Sequence, residues 1–278
     1  MIVQTAPDGR PHFVIPQIEH ARMAGVFARA FGNETFAPLL PHNQMEYVVT
    51  HHDEGWTELD EAPKRDPRTG LVYHLTQTPL ADLTVTSRRS PDFNEQEHPF
   101  CGLISSMHSW GLYNGRYGLS DKIFIDSISP ADRPMVDTML QGEIDRQERL
   151  KARLRRDPKT ANWTDETFLF HNYKLLQFFD TLALYFQMVH ESAWVETVFH
   201  NVPMAVGQDT SITVRPAGSA TVSLTPCPFA VNRLQVCCTS RYLHAQAKDV
   251  DIGAVLRDLP VEYQSFTLVA GYMWDRRW

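Results

Sequence analysis

The chain has 278 residues, 43% hydrophobic and 21% charged, which is ordinary globular usage and excludes a disordered or fibrous chain. Twenty-six Lys and Arg against 33 Asp and Glu give a net charge of −7 with histidines neutral, which argues against broad binding to nucleic acid or anionic membrane. No apolar run approaches a membrane span, and the opening MIVQTAPDGRPHF lacks the basic-then-apolar pattern of a secretory signal, so a cytoplasmic location is expected.

In chain order, Pro16 is placed to start a helix, with Ile18, Ala21, Gly25 and Ala28 at helical spacing up to Phe31-Gly32. A second, short helix is expected over 44–52. From Trp56 to Glu97 the chain is rich in Pro, Asp, Thr and Arg, and reads as a long, partly irregular connection of the kind that covers a pocket. A buried helix follows over 100–110. Another opens at Ser129-Pro130 and runs to Arg156, with a solvated, charged C-terminal half. Thr164 is placed to cap a long apolar helix from Asp165 to His190. Beyond Pro203 the apolar period drops to two, at Ile212 and Val214, Val222 and Leu224, and Leu234, Val236 and Cys238. The expected architecture is therefore mainly α, a helical bundle over 12–200, with a small antiparallel β element over 205–275 packed against it.

The cysteines (101, 227, 237 and 238) include no CxxC pair, so reduced thiols are expected and thiolate metal sites are not. Histidine and aspartate carry more information. His20 lies among Ala24, Phe27 and Phe31; His51-His52-Asp53 ends the second helix; His108 lies in SSMHSWGLY; Asp180 lies inside LLQFFDTLALYF. A carboxylate buried in such a segment is costly unless a cation or several hydrogen bonds satisfy it. Imidazole and carboxylate together suit Fe, Mn, Co or Zn. The competing reading makes His20 a core histidine bonded to a carbonyl and Asp180 the partner of an arginine. No glycine-rich phosphate loop, GxSxG elbow or Cys–His nucleophile signature occurs.

A histidine, a His-Asp pair 32 positions on and a distant aspartate resemble the H…HD…D ligand order of the HD-domain superfamily. The segments EHARMAGVFARAFG, HHDEGW, SMHSWGLY, YKLLQFFDTLALY and PCPF are also similar to those of a bacterial family of unknown function with HD-like character. The resemblance implies an HD-like helical bundle. It implies metal ligands at His20, His52, Asp53 and Asp180, with His108 for a second ion and His74 and His98 as further ligand candidates. One or two divalent transition metal ions are implied, with iron favoured for oxygen chemistry. His51, beside the expected ligand, leaves the choice of imidazole open.

The leading expectation is a metal-dependent hydrolase of phosphohydrolase type, in which a metal-activated water attacks a small, anionic substrate and His108, Glu54 or His51 moves protons. The alternatives are a two-iron oxygenase and a non-catalytic metal-binding sensor, the last predicting a closed coordination sphere. Trp56, Trp110, Tyr113, Tyr117 and Tyr185 are candidate pocket aromatics. Arg88, Arg89 and Arg116 are candidate anion partners. An oligomer is compatible with the sequence, and neither nucleic acid nor membrane is expected as a partner.

Overall fold

In the computed structural model, which describes residues 1–271, about half of the chain is helical and about a fifth is in strands. The chain enters through β1 (Ile2–Val3) and β2 (His12–Ile15). It then builds a helical body from α1 (Gln17–Ala30), α2 (His42–Thr50), α3 (Thr57–Glu61), α4 (Leu80–Glu97), α5 (Pro99–Tyr113), the four-residue α6 (Gly115–Gly118), α7 (Arg133–Arg155) and α8 (Glu166–Met188). The remainder is β3 (Thr197–Ala205), β4 (Gln208–Pro216), β5 (Thr221–Thr225), β6 (Arg233–Leu243), α9 (Ile252–Asp258) and β7 (Glu262–Ala270).

The expectation of a mainly α, HD-like bundle with a small antiparallel C-terminal element is overturned. All seven strands form one curled sheet in the order β1-β2-β6-β7-β5-β4-β3, and it is mixed because β5 and β7 run parallel. The two N-terminal strands are too short to carry a periodic signal. β2 pairs its His12–Val14 with Arg241–Leu243, where β6 extends past its pairing with β7, and β1 pairs with β2. The last positions of the expected β element, 272–275, lie outside the described residues.

α1 and α8 are sandwiched between this sheet and the other helices. Phe27 of α1 and Phe186 of α8 have ring centroids 6.2 Å apart, and Phe186 stacks toward Phe266 of β7 at 5.1 Å. These rings, with Phe13, Ile15, Val236 and Leu268, make the continuous apolar core. On their other side, α1 and α8 face α2 and α5, and the polar residues of the helical body converge there. Gly25 sets the approach of α1 to α2: a Cβ at that position would lie 2.2 Å from Thr50 Oγ1 and 3.1 Å from Thr50 Cα.

The stretch expected to be irregular, 56–97, contains an 18-residue helix, α4, with Pro91 inside it. Its β-branched and hydroxyl residues have poor helix propensity. Tertiary contacts override it: Ser90 Oγ accepts from the Gly55 amide and Asn94 Nδ2 donates to the His51 carbonyl. The long helix capped in expectation by Thr164 begins one residue later, with Asp165 at the cap position.

Candidate metal centre

α8 is apolar around most of its circumference, yet Gln177, Asp180 and Gln187 are all buried and fall on one stripe at helical spacing. α1 brings His20 to this stripe. The turn after α2 brings His52 and Asp53, and α5 brings His108. Two overlapping groups of donors result, His20–His52–Asp180 and His52–Asp53–His108, each with ligand atoms within 4.8 Å of one another.

In the first region, His20 Nε2 lies 3.1 Å from Asp180 Oδ1 and 4.0 Å from Asp53 Oδ2. His52 Nε2 lies 3.6 Å from Asp53 Oδ2 and 4.0 Å from Asp180 Oδ1. A transition metal holds N and O donors at about 2.0–2.2 Å, so two donors on one ion are at most about 4.3 Å apart. All four separations satisfy that bound.

The hydrogen bonds behind the donors sharpen the case. His52 Nδ1 lies 2.8 Å from the Val49 carbonyl, and His20 Nδ1 lies 2.7 Å from Gln187 Oε1. A carbonyl on Nδ1 fixes the proton there and leaves the lone pair on Nε2, the usual arrangement behind a metal-bound imidazole. Nε2 of His52 is then a buried acceptor facing carboxylate oxygens, and among the described residues it has no hydrogen-bond partner. Lone pairs facing lone pairs in a dry interior are unfavourable unless a cation lies between them. The donor set therefore fits a divalent transition metal.

The charges respond to this crowding. Burial opposes protonation of His20, but its hydrogen bond to Asp180 and the charges of Asp180 and Asp53 outweigh that and raise its pKa. Burial likewise raises the Asp180 carboxyl, yet His20, His108 and His52 reverse the balance and hold it well below the usual carboxylate range. The Asp53 carboxyl is pushed up by burial despite its imidazole neighbours. Burial pushes His108 down to about 3, so its ring is neutral at physiological pH. His108 Nδ1 lies 2.6 Å from Gln177 Nε2 while Gln177 Oε1 has no partner. With the Gln177 amide turned over, Nδ1–H donates to Oε1 and the other ring nitrogen is left for the cluster.

Not every sequence candidate joins the cluster. His74 Nδ1 accepts from the Val3 amide, tying the N-terminal strand to the loop before α4. His98 caps α5, accepting from the Phe100 amide, at the opposite end of that helix from His108. His51 and Glu54 pair with each other at 2.6 Å, which holds the Glu54 carboxyl below its usual range. His51 lines a separate surface cleft with Tyr47 and Glu97. Arg89 pairs with Glu58, and Arg116 lines a separate cleft with Lys174, Gln177 and His200. The sequence reading missed Gln177 and Gln187, which orient His108 and His20. Their shared helix stripe with Asp180 was the available signal.

A cavity of about 300 Å³ opens onto the cluster, with His52, Asp53 and His108 on its wall. Trp56 and Tyr113 also line it, whereas Trp110 and Tyr117 pack on each other and Tyr185 packs on Trp194. No helix of the described residues is long and apolar enough to cross a membrane. No curated protein and no solved structure matches the chain. Residues 1–245 do match a family, a span that carries every ligand candidate and the cavity, and the chain belongs to that family, described as a protein of unknown function (DUF3891).

Proposed function

We propose that the protein is a metal-dependent hydrolase that cleaves a phosphoester of a small molecule, with the ion held by His20, His52, Asp53 and Asp180 and with His108 on the cavity side. One observation carries this reading: Nε2 of His52, buried and without a hydrogen-bond partner among the described residues, faces two carboxylates at distances a shared cation would explain. The order of these residues, which resembles that of the HD-domain superfamily, supports it. Bound there, a divalent transition metal lowers the pKa of a coordinated water and polarises a phosphoryl oxygen. The chain's own contribution is positional. Val49 and Gln187 fix the tautomers of His52 and His20. Asp53 lines the cavity and provides an acceptor for the proton of the attacking water, with His108 beside it on the same wall.

A second reading, oxygen chemistry at a pair of iron ions, draws on the second donor group, which adds Asp53 and His108 as ligands beyond those of the first. Elemental analysis of purified protein, with His52→Ala and Asp53→Ala variants, tests the shared premise: stoichiometric transition metal is expected in the parent and not in the folded variants. Phosphatase activity stimulated by Mn²⁺ or Co²⁺ without oxygen uptake supports hydrolysis. A mixed-valent iron signal with oxygen consumption supports the second reading. Active protein free of metal refutes both.

A further inference from the structure

The cavity beside the cluster has a lining that no phosphate-rich ligand would select. Besides His52, Asp53 and His108, it is walled by Trp56, Leu75, Leu83, Leu112, Tyr113 and Phe124, and its other lining residues are all Ser or Thr. Among the described residues, neither Lys nor Arg lines it. Several of the hydroxyls are already engaged. Thr86 donates to the Leu83 carbonyl, Ser90 accepts from the Gly55 amide, and Ser87 lies 3.3 Å from the Tyr113 hydroxyl. Leu112 and Phe124 are each 38% exposed although they line the same cavity, so apolar surface continues to its mouth. A highly charged substrate such as a nucleotide would leave several anionic groups here without a cation, a desolvation cost the site does not offset. An apolar group, by contrast, gains the burial term over most of its surface.

We propose that this cavity takes an uncharged, aromatic or branched-aliphatic group of the substrate, and that substrate charge is confined to the one group that reaches the His/Asp cluster. The assignment of that reacting group rests on the hydrolase reading above; the apolar occupant does not. Size narrows the class further. A cavity of about 150 Å³ lined by aliphatic and aromatic residues holds benzene, and this one, at about 300 Å³, matches a bicyclic arene or a branched chain of similar bulk. Hydrolysis of such an ester breaks the P–O bond to an apolar alcohol: water supplies the oxygen that stays on phosphorus, and the alkoxide leaves with a proton.

The test has two arms. In the first, chelator-treated protein is titrated with 1-naphthol, following tryptophan fluorescence, since Trp56 lines the cavity. Saturable binding is expected. Leu112→Arg and Leu83→Arg are expected to weaken it at least about tenfold, while Val261→Arg, at the exposed residue just before β7, leaves it unchanged. Leu112 is exposed enough that its variant folds even if that of Leu83 does not. In the second arm, Mn²⁺-loaded protein is given 1-naphthyl phosphate and glycerol 2-phosphate, and kcat/KM is expected to favour the aromatic ester by about 100-fold. Naphthol binding that is absent or insensitive to Leu112→Arg overturns the proposal, as does equal use of the two esters. Binding that responds to Leu112→Arg, in protein that holds metal but hydrolyses neither ester, leaves the apolar site standing and removes the hydrolase reading.

Discussion

Asp180→Asn separates a metal centre from a buried ion pair. The Asp180 side chain is nearly inaccessible and its Oδ1 lies 3.1 Å from His20 Nε2. In metal-free protein the amide removes the negative charge that stabilises the His20 ring, and breaking a buried pair on one side costs about 3–5 kcal/mol. That loss is expected whether or not the cluster binds metal, so it decides nothing alone. The response to metal does decide. An ion at about 100 times its dissociation constant stabilises the folded parent by about 2.7 kcal/mol. At about 2–4 °C per kcal/mol for a chain somewhat smaller than this one, that amounts to a rise of about 5–11 °C in Tm. Asparagine supplies a neutral, weaker donor, and the rise is expected to vanish. Scanning calorimetry on chelator-stripped parent and variant, with and without Mn²⁺, Fe²⁺, Co²⁺ or Zn²⁺, measures both effects. If none of the four metals raises the Tm of the parent while Asp180→Asn still destabilises, the cluster is a structural ion pair and the proposed function fails.

Gly55→Ala places a Cβ 2.3 Å from the Thr86 carbonyl and 2.5 Å from the Ser90 amide nitrogen. It is expected to cost about 1–3 kcal/mol or more in urea unfolding and to lower metal content by displacing the adjoining Asp53 turn. Gln177→Leu keeps the bulk but removes the partner of His108 Nδ1; if His108 is a ligand, metal affinity falls by about 10–100-fold with little change in the circular dichroism spectrum. Burial, assisted by the nearby N-terminal charge, depresses the His74 pKa from 6.5 to about 4. The unfolded chain therefore binds more protons than the folded one between those values, and the His74 contribution to stability, complete above pH 6.5, is lost as pH falls toward 4. His74→Gln, which keeps an acceptor for the Val3 amide, is expected to flatten the urea midpoint against pH in that window.

The helices that carry the cluster, α1, α2, α5 and α8, were legible because their apolar residues repeat at helical spacing, and they fall close to where the pattern puts them, as does α7. His20, His52, Asp53 and Asp180 stood out as polar groups inside or ending those segments, and the structure draws them together. α4 was not legible, because Thr84, Thr86, Ser87 and Pro91 read as connection, and its tertiary packing, on the Gly55 turn and on α5, makes it a helix. His74 and His98 could not be sorted from ligands by sequence, since an imidazole that accepts from a backbone amide looks the same as one that binds a metal. The full extent of the sheet was hidden for a different reason. β1 and β2 are two and four residues long, too short for alternation to register, and the parallel pairing of β5 with β7 follows from α9 and the connection around it.

The pairing of β2 with β6 joins Phe13 to Tyr242, with the whole helical body threaded between them. Contacts of such high sequence separation are formed late and slowly, because the entropy of closing the intervening loop is lost before the contact rewards it. During synthesis α1 and α8 emerge well before β6 and β7, so the side of Phe27 and Phe186 destined for the sheet stays wet until most of the chain has left the ribosome. The same delay makes overproduced, half-made chains prone to associate through that apolar side, so slow expression at low temperature is the condition that favours correctly assembled protein.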